Sequence, residues 1–305
     1  MSVLEQIEAG VSLSQLTAAL TTVIAWDILI CLEEEVDLAV RCGFNPSSIV
    51  YFTSRTGVLL WGILLLMLET VPFSNCQVIW NITAIITVIA GGATALLFVI
   101  RVSAVYEQSN AVKLFFAIFW LATPVSSILV AIYGRSSHAG SATCTISNTQ
   151  FFTYLCLWIE AAFNTSIFIA ITWRIISYST ACKAPLWQSF RGAGLPRICR
   201  ELLQGGQLFY FVTVGITLTG ACATFMPVNQ VLRIRLTEPA FAFQSIMACR
   251  AHRRIVLRTS RFKANPDSPH SIAMTTVLPY FPNPEVPSNM GLEQEHETQV
   301  VPQVA

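Results

Sequence analysis

The sequence predicts an all-α polytopic membrane protein, a bundle of seven transmembrane helices with receptor-like topology. Three observations predict it. Hydrophobic residues make up 54% of the 305 residues and charged residues only 11%, where a soluble domain carries about 25% charged. The apolar residues gather into separate runs, and Lys and Arg fall in every second gap between them. A hydrocarbon core about 30 Å thick needs roughly 20 apolar residues as helix, whereas barrel strands alternate over about ten residues. A net charge of +1 gives no basic surface for nucleic acid.

The spans read as residues 11–32, 49–68, 77–100, 114–133, 151–172, 208–226 and a weaker seventh over 231–249. Glu5 and Glu8 precede the first run where a cleavable signal would be basic, so this span is expected to target the chain itself. In the seventh, Arg233, Arg235, Glu238 and Pro239 crowd the outer half. A short or tilted span is expected there, with arginines snorkelling to headgroups.

Orientation follows the basic residues of short loops. With the N terminus external or lumenal, the cytoplasmic side holds Arg41, Arg101, Lys113, Arg174, Lys183, Arg191, Arg197, Arg200, Arg250, Arg253, Arg254, Arg258, Arg261 and Lys263. The external side holds Arg135, Arg233 and Arg235. The chain then divides into an external segment 1–10, a transmembrane domain 11–263 and a tail 264–305. That tail is rich in Pro, Ser, Glu and Gln, is expected to be disordered, and lies in the cytoplasm. Plasma membrane and endomembrane fit equally.

Charges inside the spans carry the chemistry. Asp27 in the first and Arg55 in the second lie about 8–9 Å from the same face at 1.5 Å per residue, which suits an ion pair. Glu34, seven residues after Asp27, shares its helical face and is placed to share Arg55 or to meet a basic loop. Glu160, near the middle of the fifth span, has Asn164 one turn on. These two are the candidates for lining a ligand cavity or polar pathway, or else hold helices together by hydrogen bonds.

Cys76 before the third span and Cys144 in the next external loop both face an oxidising compartment, which favours a disulfide. Rhodopsin-like receptors pair cysteines at these places. Gly91, Gly92 and Ala95 give the third span a small, close-packing side. Arg101 closes that span as an interfacial arginine. Residues 195–203 repeat apolar side chains with the period of an amphipathic helix, and Cys182, Cys199 and Cys249 stand where acylation occurs.

Absences narrow the field. His138, His252, His270 and His296 lie outside the spans, so neither haem nor metal is expected in the bundle. Lys113, Lys183 and Lys263 also lie outside, which excludes a retinal Schiff base. No catalytic constellation is visible, so no enzyme activity and no cofactor are expected. The expected partners are the bilayer and a cytoplasmic signalling protein; the ligand is unspecified. A transporter or channel with a polar intramembrane route is the alternative.

Several short motifs resemble a membrane-protein family abundant in basidiomycete fungi, which is defined by an N-terminal membrane domain of unknown function. They are Trp26-Asp27, Glu34-Glu35-Val36-Asp37-Leu38 with Arg55, Arg101-x-x-Ala104-x-Tyr106, Leu202-Leu203 with Gly205-Gly206 and Phe209-Tyr210, and Met247-Ala248-Cys249-Arg250. Val40 and Thr56 stand near places where that family carries Trp and Tyr. The resemblance implies a multi-helix membrane protein and no established activity.

Overall fold

A computed structural model of the chain describes residues 3–42, 45–106, 109–139, 143–147, 150–181, 211–222, 225 and 237–264. These form eight helices and one short hairpin. The helices are α1 (Val3–Ile30), α2 (Leu32–Cys42), α3 (Pro46–Thr70), α4 (Cys76–Val105), α5 (Asn110–Tyr133), α6 (Gln150–Ala181), α7 (Phe211–Cys222) and α8 (Glu238–Ala264). Strands β1 (Arg135–Ala139) and β2 (Thr143–Ser147) pair antiparallel. The expected amphipathic stretch 195–203, Cys182, Cys199, the outer part of the seventh run and residues 265–305 lie outside the described residues.

Among the described residues, four helices are long and apolar enough to cross a bilayer, namely α3, α4, α5 and α6 from Phe151 to Arg174; the bent pair α1 and α2, taken as one span, is a fifth. Their outward faces are apolar: on α5, Leu114, Ile118, Leu121, Val125, Ile128 and Ile132 form one exposed stripe. That repeat follows the helical period, and in a membrane protein lipid covers it.

The first span is not one rod. The helix breaks at Cys31, whose N–H bonds the Ile28 carbonyl at 3.2 Å, and α2 leaves at 55°. Beyond the bend, Leu32, Val36 and Val40 recur every fourth residue on an exposed apolar face, while Glu35 and Leu38 are buried. Helix α2 therefore turns Glu35 and Leu38 into the bundle and its apolar stripe away from it.

Helix α3 starts with Pro46, whose fixed φ suits a first helical turn. It buries Tyr51, Ser54, Arg55, Val58, Trp61, Leu65 and Leu68 along one stripe. It lies close against α4, because a Cβ built on Gly57 would stand 2.8 Å from the Ala90 Cβ. Gly62 gives α1 the same clearance beside Thr21. Gly91 faces the Phe241 ring and Ala95 enters the main core, so the small side of α4 is a packing surface.

Helix α4 is the central element, with α3, α5, α6 and α8 packed around it. Pro124 inside α5 has no N–H for the Trp120 carbonyl; the Thr123 hydroxyl donates to that carbonyl instead, at 2.9 Å. The Trp120 indole N–H then donates to the Gly92 carbonyl at 2.9 Å, joining α5 to α4.

Cys76, the first residue of α4, is joined to Cys144 of β2 by a disulfide with a Cα–Cα distance of 5.6 Å. Loop 134–150 thus contains a hairpin, with His138 opposite Cys144. Leu68 packs on the bridge.

Helix α8 departs most from expectation. The sequence suggests a short span ending near Cys249, followed by a basic tail. The helix instead continues unbroken to Ala264. Arg253 is 5% exposed, so it belongs to the packed interior rather than to a solvated tail. At the other end of α8, Glu238 and Glu69 both lie 3.2 Å from the Thr17 hydroxyl of α1.

Placing a branched side chain between α3 and α4 tests this packing. Gly57→Val is expected to destabilise the protein by about 1–3 kcal/mol through overpacking, read as a lower unfolding temperature in detergent. The lipid-facing Leu60→Val, 49% exposed, should shift it much less.

Candidate functional site

Three carboxylates and three arginines meet where α1 bends into α2. Asp27 and Arg55, the pair expected from depth, are in direct contact through Oδ2 and Nη1. Arg55 Nη2 also donates to the Asp27 backbone carbonyl at 2.9 Å. Both residues are buried, at 2% and 4% exposure, so Arg55 does not snorkel.

The remaining Arg55 donor goes to Glu35, not Glu34. Arg55 Nε lies 2.8 Å from Glu35 Oε1, and the Tyr51 hydroxyl donates to the same oxygen at 3.0 Å. Asp27, Cys31, Glu35 and Leu38 are buried in one helical series that runs through the break, so Glu35 takes the inward position and Glu34 stands beside it. Glu34 turns to Arg253, whose Nε is 2.6 Å from Glu34 Oε2.

The last helix completes the cluster. Arg250 Nε donates to Asp27 Oδ1 at 2.6 Å. Arg253 Nη2 reaches the Cys31 sulfur at 2.9 Å, and its Nη1 is 3.8 Å from Glu35. Three negative and three positive charges cancel, so no net charge is left away from water. Glu34 and Arg250 are the least enclosed, with 56% and 37% of their side chains exposed, and their contacts are correspondingly screened.

Around this network sit further polar contacts. His252 stacks on Tyr51 with ring centroids 5.7 Å apart and meets the Ser47 hydroxyl at 3.1 Å. The Ser54 hydroxyl is 2.7 Å from Thr94, 3.2 Å from Ser245 and 3.6 Å from the Cys249 sulfur. Cys249 is fully buried, which overturns it as an acylation site: it faces α3 rather than lipid. Arg101 is only 7% exposed and is likewise not an ordinary interfacial arginine.

Glu160 and Asn164 occupy a separate place on α6. Asn164 is buried, and its Oδ1 accepts from Gln244 Nε2 of α8 at 3.4 Å. Glu160, one turn earlier, is half-buried and lies near the same Gln244 side chain. The pair therefore joins α6 to α8 but does not touch the arginine network. Among the described residues, no group of three or more His, Cys, Asp and Glu side chains is arranged to hold a metal ion.

Sequence reasoning missed Tyr51, Gln244, Arg250 and Arg253. A signal existed for the arginines: Ile246, Cys249, Arg250 and Arg253 follow i, i+3, i+4, i+7 spacing, which marks one helix face. Chemically the cluster is a clasp, fastening the last helix to the first bend through charges that lose their partners if α8 moves.

Removing one partner from such a site typically costs 3–5 kcal/mol. Asp27→Asn and Arg55→Met are each expected to destabilise by about that much. The double variant should lose less than their sum by about 1 kcal/mol or more, measured by reversible unfolding in mixed micelles. Arg250→Gln should cost less than Arg55→Met.

Residues 15–60 match a family of unknown function (DUF6533). The matched segment runs from the first helix through the bend into α3, and Asp27, Glu34, Glu35, Tyr51 and Arg55 all lie within it. No curated protein matches the chain. The similarity thus covers the α1–α3 half of the clasp and brings no activity with it.

Proposed function

We propose that this membrane protein is a seven-helix, receptor-like signalling protein without enzymatic activity. Its N terminus is external or lumenal, and α8 ends at the cytoplasmic face. The observation that carries this reading is the clasp. A signalling bundle needs an element with two arrangements whose balance a ligand can bias, and α8 is held to the first helices by six mutually neutralising charges. Loosening Asp27 from Arg250 and Arg55 would free the basic end of α8 for a cytoplasmic partner.

Two further features support it. The basic residues of the loops and of α8 accumulate on the clasp side under the charge rule. The disulfide stiffens the opposite end, where a ligand would arrive. The rival reading is conduction, with Glu160, Asp27 and Arg55 lining a polar route; the polar side chains on α6 and α8 favour it. The clasp weighs against conduction, because it uses its charges on one another.

Membranes containing the protein and a heterotrimeric G protein separate the two. Asp27→Asn, once shown to be folded, should raise basal nucleotide exchange severalfold over the parent. Unchanged exchange, together with proton or solute flux in proteoliposomes that Glu160→Gln abolishes, would overturn the signalling reading in favour of conduction.

A further inference from the structure

Besides the small cluster at the disulfide, the described residues form two apolar cores. One joins Leu20, Ile24, Val58, Trp61, Ala90 and Ile246, drawing on α1, α3, α4 and α8. The other includes Phe98, Phe116, Phe163, Ile167 and Leu257, and brings in α5 and α6. Above Phe163, α6 contributes nothing to either core and reaches α8 through Asn164 and Gln244.

These two amides are 3% and 2% exposed, yet each has one atom without a hydrogen-bond partner among the described residues: Asn164 Nδ2 and Gln244 Oε1. Exchanging nitrogen and oxygen in both amides leaves the same result, one unmet donor and one unmet acceptor. A buried polar group left unpaired costs about 1–3 kcal/mol, and lipid offers no water to relieve it. Each unmet atom belongs to the same amide as an atom of the 3.4 Å contact, so the unmet donor and the unmet acceptor lie on neighbouring side chains. Glu160, one turn before Asn164 on α6, is half-buried and so lies nearer the surface than either amide.

We propose that Asn164 and Gln244, with Glu160 at the entrance, form an intramembrane site for a hydroxyl oxygen, carried by an aliphatic alcohol from the bilayer or by water. A hydroxyl both donates and accepts, which matches one carbonyl and one N–H. An ammonium group only donates and a ketone only accepts, and each would leave one amide atom unmet. This inference is independent of the signalling reading: the site would be occupied whether or not the clasp couples to a partner.

The test uses the full chain in nanodiscs with a diazirine-bearing aliphatic alcohol as photolabel. If an alcohol is the source, label is expected on residues 156–164 or 241–248, displaced by octanol but not octane. Asn164→Leu with Gln244→Leu should reduce it about fivefold or more, the factor for one lost hydrogen bond near 1 kcal/mol. If water is the source, radiolytic hydroxyl footprinting should modify Phe163 or Met247 without alcohol labelling, and the double variant should lose that footprint. Absence of both signals in the parent protein would overturn the proposal. So would signals unchanged by the substitutions, with Gln244→Met alone serving if the double variant does not fold. These readouts require no G protein, so their failure is distinct from that of the signalling reading.

Discussion

Arg55 is the charge around which the other packing must arrange itself. A guanidinium does not give up its proton, so burying it obliges the fold to supply acceptors in a fixed geometry. Asp27 gives a carboxylate and a backbone carbonyl, and Glu35 gives a second carboxylate. Those two acids lie on α1 and α2, on either side of the break at Cys31, and share one buried stripe. Once two acids face one arginine, a negative charge remains. Arg250 answers it from α8, and the Arg253–Glu34 pair closes the cluster.

Elsewhere the bundle relies on close backbone contact rather than charge. Gly57 against Ala90 sets the α3–α4 spacing, and the Thr123 hydroxyl repairs the carbonyl that Pro124 abandons. Neither device needs water. A hydrogen-bonded polar layer of Ser54, Thr94 and Ser245 lies where α3, α4 and α8 meet. It fixes the register of α8 against two neighbours, which apolar contact alone does not.

The membrane character, the spans that became α3 to α6, and the Asp27–Arg55 contact were legible in the sequence. Run length and the rarity of intramembrane charge are local properties, and helical rise converts position into depth. Glu35 was hidden among Glu33, Glu34 and Asp37, because positions seven and eight residues after Asp27 fall on the same side of a helix and spacing alone does not choose between them. Arg250 and Arg253 were misread because counting basic residues treats those beyond a short apolar run as tail, although their spacing continues the buried face. Gln244 was invisible as a partner for Asn164, since interhelical register is set by tertiary packing. The hairpin was missed because Arg135–Ala139 and Thr143–Ser147 are polar and short, without the apolar alternation that marks a strand.

The two ends of α8 carry a topological consequence. Glu238 shares Thr17 with the early part of α1, while Arg250 binds Asp27 near its end. Helices α1 and α8 therefore run in the same direction. Two parallel helices joined at both ends resist sliding along one another, so the Thr17–Glu238 and Asp27–Arg250 contacts together fix the register of α8 on α1. The packed pair α4 and α5 brings the chain back to the end where α4 began, which is what lets Cys144 reach Cys76.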